Sequence, residues 1–156
     1  MKRILVFAGI TLAFGFFGLS AWQIEAQMSQ KDAVKIPLEN YLKGHATGNP
    51  EFMRKAFHTE GKLIFIRDNK YSTRTFEEYI AGMNGKPADD EAKRKRSIES
   101  IDIAGNAATA KIVLDYPAVK FTDYMTLLKI DGEWKIISKT FYAETKAAPE
   151  PKKPSE

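Results

Sequence analysis

Cysteine is absent from the 156 residues, and histidine occurs only twice. The first absence excludes a disulfide framework and a lipid-attachment cysteine. The two together leave no ligand spacing for a metal, because His45 and His58 stand far apart with no cysteine to join them. Nothing calls for a cofactor either. There is no glycine-rich phosphate loop, and no serine, histidine and aspartate stand in a hydrolase-like order. Charge of one sign is scarce: 24 basic against 20 acidic residues leave a formal +4, too mild to imply nucleic acid. The densest basic cluster, Lys93-Arg94-Lys95-Arg96, follows Asp89-Asp90-Glu91 without interleaved aromatics, and reads as a solvated loop. The apolar run Ile4–Leu19 falls short of the roughly 20 residues of a full membrane span.

What is present divides the chain into three parts. Lys2-Arg3, the apolar run and Ile24-Glu25-Ala26 read as a secretory signal peptide over residues 1–26, cut ahead of Gln27, with the bacterial periplasm as destination. An uncleaved membrane anchor is the alternative, because Trp22 and Ile24 extend the apolar character. Residues 27–146 suffice for one domain with its own core. The proline-rich, charged tail AAPEPKKPSE, residues 147–156, reads as disordered.

Val34, Leu38, Tyr41, Leu42 and His45 form one apolar stripe at helical spacing, with Pro37 inside it as an opener or a kink. Gly48 stops this helix. Asn49-Pro50-Glu51 starts a second, short one that should end near His58, with a turn at Gly61. KLIFIR, residues 62–67, reads as a strand, followed by a turn at Asp68-Asn69 and a short strand over residues 71–73. Thr75-Phe76-Glu77-Glu78 is a capping box that opens a third helix carrying Tyr79, Ile80 and Met83. Residues 97–103 and 107–116 alternate as strands around Gly105-Asn106. FTDYMTLLKIDGEWKIISKTF, residues 121–141, is a hairpin turned at Asp131-Gly132. Helices first and a meandering sheet after make an α+β arrangement.

The hairpin poses a question about Asp123. An undisturbed register from Ile130 opposite Glu133 pairs Asp123 with Thr140 and places it beside Met125, Leu127, Trp134 and Ile136 on the more apolar face. Lys139 and Tyr124 fall on the other face, with Thr122, Thr126 and Ile137, as a surface on which two subunits could pair. A carboxylate packed against helices costs several kcal/mol unless it is hydrogen-bonded or neutralised. It is therefore either held by Ser138, Thr140 or a backbone amide, or it is the polar group of a pocket.

Two stretches, YLKGHATGNPEFMRKAFH and FTDYMTLLKIDGEWKIISKTF, together with TFEEYI and SIESIDIAGNAATAKI, resemble the putative lumazine-binding family of the nuclear-transport-factor-2-like (SnoaL-like) superfamily. The resemblance covers roughly Val34 to Tyr142. It implies a cone-shaped α+β barrel, in which a strongly bent antiparallel sheet wraps the helices around one cavity, and a homodimer. It places His58 and Asp123 at the family's AFH and FTDY motifs.

Three functions stay open. The first is an exported protein that binds a hydrophobic or aromatic small molecule against Tyr41, Phe57, Phe65, Tyr79, Met83, Met125, Trp134 and Tyr142, with Asp123 and His58 as polar groups. The second is an isomerase- or dehydratase-type enzyme in which Asp123 or His58 moves a proton. The third is a dimeric interaction module whose cavity is filled by side chains. Each apolar candidate also reads as plain core, and His58 also reads as a cap on the second helix.

Overall fold

The structure, a computed structural model, describes residues 15–147, with side chains from residue 30 onward. The start of the expected leader and residues 148–156 of the expected tail lie outside the described residues. Helix α1 (Gly15–Thr47) runs unbroken through the expected cut ahead of Gln27 and through Pro37. None of the described helices is long and apolar enough to cross a membrane.

Helix α2 (Pro50–Ala56) begins as its sequence dictates. The Asn49 side chain accepts from the Glu51 amide, and proline takes the first turn, where no intrahelical donor is lost. It ends at Ala56, two residues before His58, because strand β1 (Phe57–Arg67) has already begun. Gly61 accordingly lies within the strand rather than in a turn. A Cβ there would sit 2.1 Å from the Phe76 ring and 2.9 Å from the Ile137 carbonyl, so a close approach, not a loop, requires the glycine. Strand β2 (Lys70–Thr75) follows, then helix α3 (Phe76–Ile80), which the expected capping box opens: Thr75 accepts from the Glu78 amide and Glu78 accepts from the Thr75 amide. A 3₁₀ turn (Glu91–Lys93) leads into β3 (Lys95–Ala104), β4 (Ala107–Asp115), β5 (Val119–Ile130) and β6 (Glu133–Thr145).

The six strands form one sheet in the order β2-β1-β6-β5-β4-β3. All neighbours are antiparallel except β1 and β6, which run parallel. Two hairpins turn on Asp68-Asn69 and Asp131-Gly132 with positive φ at both residues, the geometry those side chains tolerate best. The inner face of the sheet packs on the helices. Its core includes Val34, Leu38 and Tyr41 of α1, Met53 of α2, Phe76 of α3, and Ile112, Met125, Leu127 and Ile136 of the sheet. This is the expected cone: helices held in the curve of a bent sheet that does not close.

The register of the last hairpin departs from expectation, with consequences for the interior. Ile130 faces Glu133 and Leu127 faces Ile136, but Thr126 then faces Ser138. Ile137 is the extra residue of a β-bulge, and beyond it every β6 side chain changes face. Asp123 therefore lies opposite Phe141, not Thr140. Lys139 turns into the core, where the undisturbed register had put it outside, and Tyr142 turns out to solvent, 68% exposed.

Candidate functional site

Asp123 is wholly buried, and its partners come from two other elements. Tyr41 Oη, from the buried stripe of α1, donates to Asp123 Oδ2 at 2.5 Å. Lys139 Nζ, brought inward by the bulge, reaches the same oxygen at 3.2 Å and the Tyr41 hydroxyl at 2.9 Å. This ion pair is closed off from solvent at both ends. Asp123 Oδ1 has no protein partner. The ammonium also sits 5.2 Å from the centre of the Tyr41 ring, 5.4 Å from Tyr79 and 4.9 Å from Phe141, so aromatic faces supply part of the solvation that water would. Burial pushes the Lys139 ammonium below its ordinary pKa, and the Asp123 carboxylate opposes that shift. Burial, then Tyr79 and Asp123, holds the Tyr41 hydroxyl well above its usual range, so Tyr41 remains a donor.

One turn further along α1 lies His45. Its Nε2 is 2.9 Å from the Tyr79 hydroxyl, and its ring meets Tyr41 edge-on with centroids 4.6 Å apart. Burial lowers the pKa of His45 well below the ordinary value, and the cations Lys139, Arg96 and Arg94 push in the same direction. The imidazole is therefore neutral at pH 7. Burial, followed by the Asp123 charge, raises the Tyr79 hydroxyl. The pair can thus anchor a bound molecule by hydrogen bonds without either group carrying charge.

His45 and Tyr79 form the floor of a cleft of about 380 Å³. Its walls are Gly44 and Gly48 at the end of α1, Met53, the segment from Gly82 to Ala88, Arg74 and Arg94. Gly48 has φ +66°, and a Cβ there would stand 2.0 Å from the Lys86 carbonyl oxygen, so only glycine lets that segment dock. The Gly85 amide in turn donates to the Gly48 carbonyl at 3.0 Å.

The candidate residues divide accordingly. Tyr41, Phe57, Tyr79, Met83, Met125 and Asp123 belong to the helix-facing interior or the cleft, while Phe57 stacks on Phe76 at 3.8 Å as plain core. Phe65 packs on Phe141 at the β1–β6 seam. Trp134 is buried, with an unpartnered Nε1, beside a different groove lined by Ile36 and Pro37. Tyr142 is on the outer face. His58 is not joined to Asp123: it alternates away from buried Phe57, and its Nδ1 accepts from the Glu60 amide at 3.3 Å instead of capping α2.

Sequence reasoning placed His45 on the apolar stripe of α1 without giving it a role, and missed Lys139, hidden by the bulge. It also missed the basic cluster. Arg96 is nearly buried and makes a two-pronged ion pair with Glu91 at 2.6 and 2.7 Å, and both Arg94 and Arg96 stack on Tyr116. The preceding acids, Asp90 and Glu91, were the signal that these arginines would be held. Among the described residues no group of three His, Cys, Asp or Glu side chains could hold a metal.

Comparison with known proteins agrees with this architecture. The family model described as putative lumazine-binding matches residues 29–142. A nuclear-transport-factor-2-like protein of unknown function from Shewanella baltica superposes with a TM-score of 0.68 at 27% identity, over 75% of this chain and 95% of that one. Another, from Methylobacillus flagellatus, gives 0.64 at 27% identity, over 74% and 93%. Among curated proteins, the aldolase FrzH of Cladobotryum sp is 21% identical over 115 residues, 74% of this chain and 92% of that protein.

Proposed function

The chain belongs to the putative lumazine-binding family of nuclear-transport-factor-2-like proteins, and on that premise we propose that it is an exported protein that binds a flat, largely apolar small molecule in the cleft above His45 and Tyr79. The observation that carries this reading is the floor of that cleft. A half-buried, uncharged His45–Tyr79 pair faces the opening, and the wholly buried Tyr41–Asp123–Lys139 cluster stands behind it. Convergent polar groups in a concavity are what orient a small molecule, and here His45, Tyr79 and Asn84 converge beside the apolar Met83. Met83 offers a soft apolar wall, and the Tyr79 ring a flat one. Asp123 acts from behind, holding Tyr41 and Lys139 rather than touching the ligand. His58 takes no part. Export rests on the N-terminal segment. A homodimer would form on the outer sheet face, where Tyr124 and Tyr142 stand exposed.

The test is a thermal-shift screen of single- and double-ring aromatic compounds, followed by titration of any stabiliser into Tyr79→Phe. Loss of one hydrogen bond should weaken binding about 5- to 10-fold. A screen in which no compound stabilises the protein, or one whose stabilisers bind Tyr79→Phe and Met83→Ala unchanged, defeats the reading.

One observation favours a second reading. A neutral imidazole bonded to a hydroxyl inside a cleft is an acid–base pair, and proton removal next to a carbonyl is the first step of aldol chemistry, the activity named for the Cladobotryum relative. In that case His45 would take the proton. Turnover of carbonyl compounds that survives His45→Ala would end this reading while leaving the binding one intact.

A further inference from the structure

Three of the residues around the cleft are cationic, Arg74, Lys86 and Arg94, and none of its lining residues is an aspartate or glutamate. In a chain with nearly balanced charge, that asymmetry is local. It is only partly neutralised. Arg94 is ion-paired with Asp90 at 2.6 Å and Arg74 lies near enough to Glu78 to lower its pKa, but among the described residues neither Arg74 nor Lys86 has a carboxylate within ion-pair distance. The cations are placed rather than scattered. Arg74 is the last residue but one of β2, immediately before the Thr75 cap of α3. Lys86 is carried on the segment that docks on Gly48, where its own amide is held by the Asn84 side chain at 3.0 Å. The Arg94 guanidinium carbon sits over the Tyr116 ring, 4.3 Å from its centroid. Lys139 and Arg96 also bear on His45 and are part of why it stays uncharged, although Asp123 and Glu91 pair with them.

We propose that the ligand of this cleft is an organic anion, with its carboxylate or like group between Arg74, Lys86 and Arg94 and its apolar ring against Met83 and Tyr79. The inference rests on reading the cleft as the binding site, and adds to it the charge of the ligand. Clustered cations beside a concavity, two of them without an ion-pair partner, draw an anion in and orient it. The floor suits the remainder of such a molecule, since it offers only neutral hydrogen-bonding groups beside the charged end. At about 380 Å³ the site is near the lower end of ligand pockets, the size of one or two fused rings.

A matched pair of probes separates charge from shape: 2-naphthoate and its uncharged isostere 2-naphthamide. Each is titrated into the folded protein while backbone amide resonances are followed. The naphthoate should shift residues 44–48 and 79–88 and bind about tenfold tighter than the amide, because each exposed ion pair contributes a few-fold and two act together. In the double variant Arg74→Gln with Lys86→Gln the advantage should vanish, and raising the salt concentration should erode it in the wild type. A charge-matched control, Lys62→Gln with Lys129→Gln at exposed positions outside the cleft, should keep it. Equal affinities for the two probes at those resonances overturn the anion inference and leave the cleft reading standing. Shifts confined to other regions, or no binding of either probe, overturn both.

Discussion

At the scale of single residues, the site depends on groups kept from their ordinary ionisation by where they are buried. His45 shows the sign of the effect. Its pKa is lowered by burial and by the neighbouring cations, so the folded chain binds this proton less readily than the unfolded chain does. The stability associated with a neutral His45 is therefore fully present above the ordinary value of 6.5 and is lost as pH falls below it. Urea midpoints between pH 7.5 and 5.5, bounds chosen about one unit either side of the free imidazole value, should fall on the acid side for the wild type. The same series for His45→Gln should be flatter. Identical slopes for the two proteins would mean that His45 charges freely in the folded state. Tyr41 and Tyr79 are held the other way, as protonated hydroxyls, and so remain donors throughout this range.

At the scale of elements, one inserted residue decides what the interior contains. Without the bulge at Ile137, Lys139 would be an outer-face lysine whose loss costs under about 0.5 kcal/mol. With it, Lys139 is the cation of a buried pair, and removing only one partner strands a charge, at roughly 3–5 kcal/mol. Lys139→Met should therefore be severely destabilising in a denaturant titration. Lys139→Met combined with Asp123→Leu should recover much of the loss, since no lone charge is left. Simple additivity in that double-mutant cycle would show that the two side chains do not meet. The hairpin was legible because Asp-Gly permits positive φ at both turn positions. The bulge was not, because Ile-Ile-Ser-Lys carries no residue that demands one. The reason lies outside β6: Gly61 of β1 brings its backbone against the Ile137 carbonyl, where β1 has its own register shift.

At the scale of the whole molecule, the sheet divides two uses. Its inner face, with the helices, makes the core and the cleft, whereas its outer face leaves Tyr124 and Tyr142 in solvent and presents a groove lined by Thr109, Thr126, Ser138 and Thr140. If that face pairs two copies, sedimentation should give twice the monomer mass, and Tyr124→Arg should return the monomer with the fold intact. If the leader is cleaved, chain recovered from the periplasm should begin at Gln27, as intact-mass measurement would show. Monomers at all concentrations, or a retained Met1, would remove those two proposals. The sequence by itself determined the parts whose cause is local: the capped starts of α2 and α3, the paired positive-φ turns, the apolar stripe of α1, and the α+β order that the bent sheet follows. It also singled out Asp123, since a carboxylate on an apolar face is conspicuous wherever the register puts it there. Only the tertiary structure decided who meets that carboxylate. Tyr41 is remote in sequence, Lys139 turns inward because β6 bulges against β1, and His45 gains its meaning from Tyr79 on another helix. Local preferences are written residue by residue, whereas a site built across four elements depends on how those elements pack.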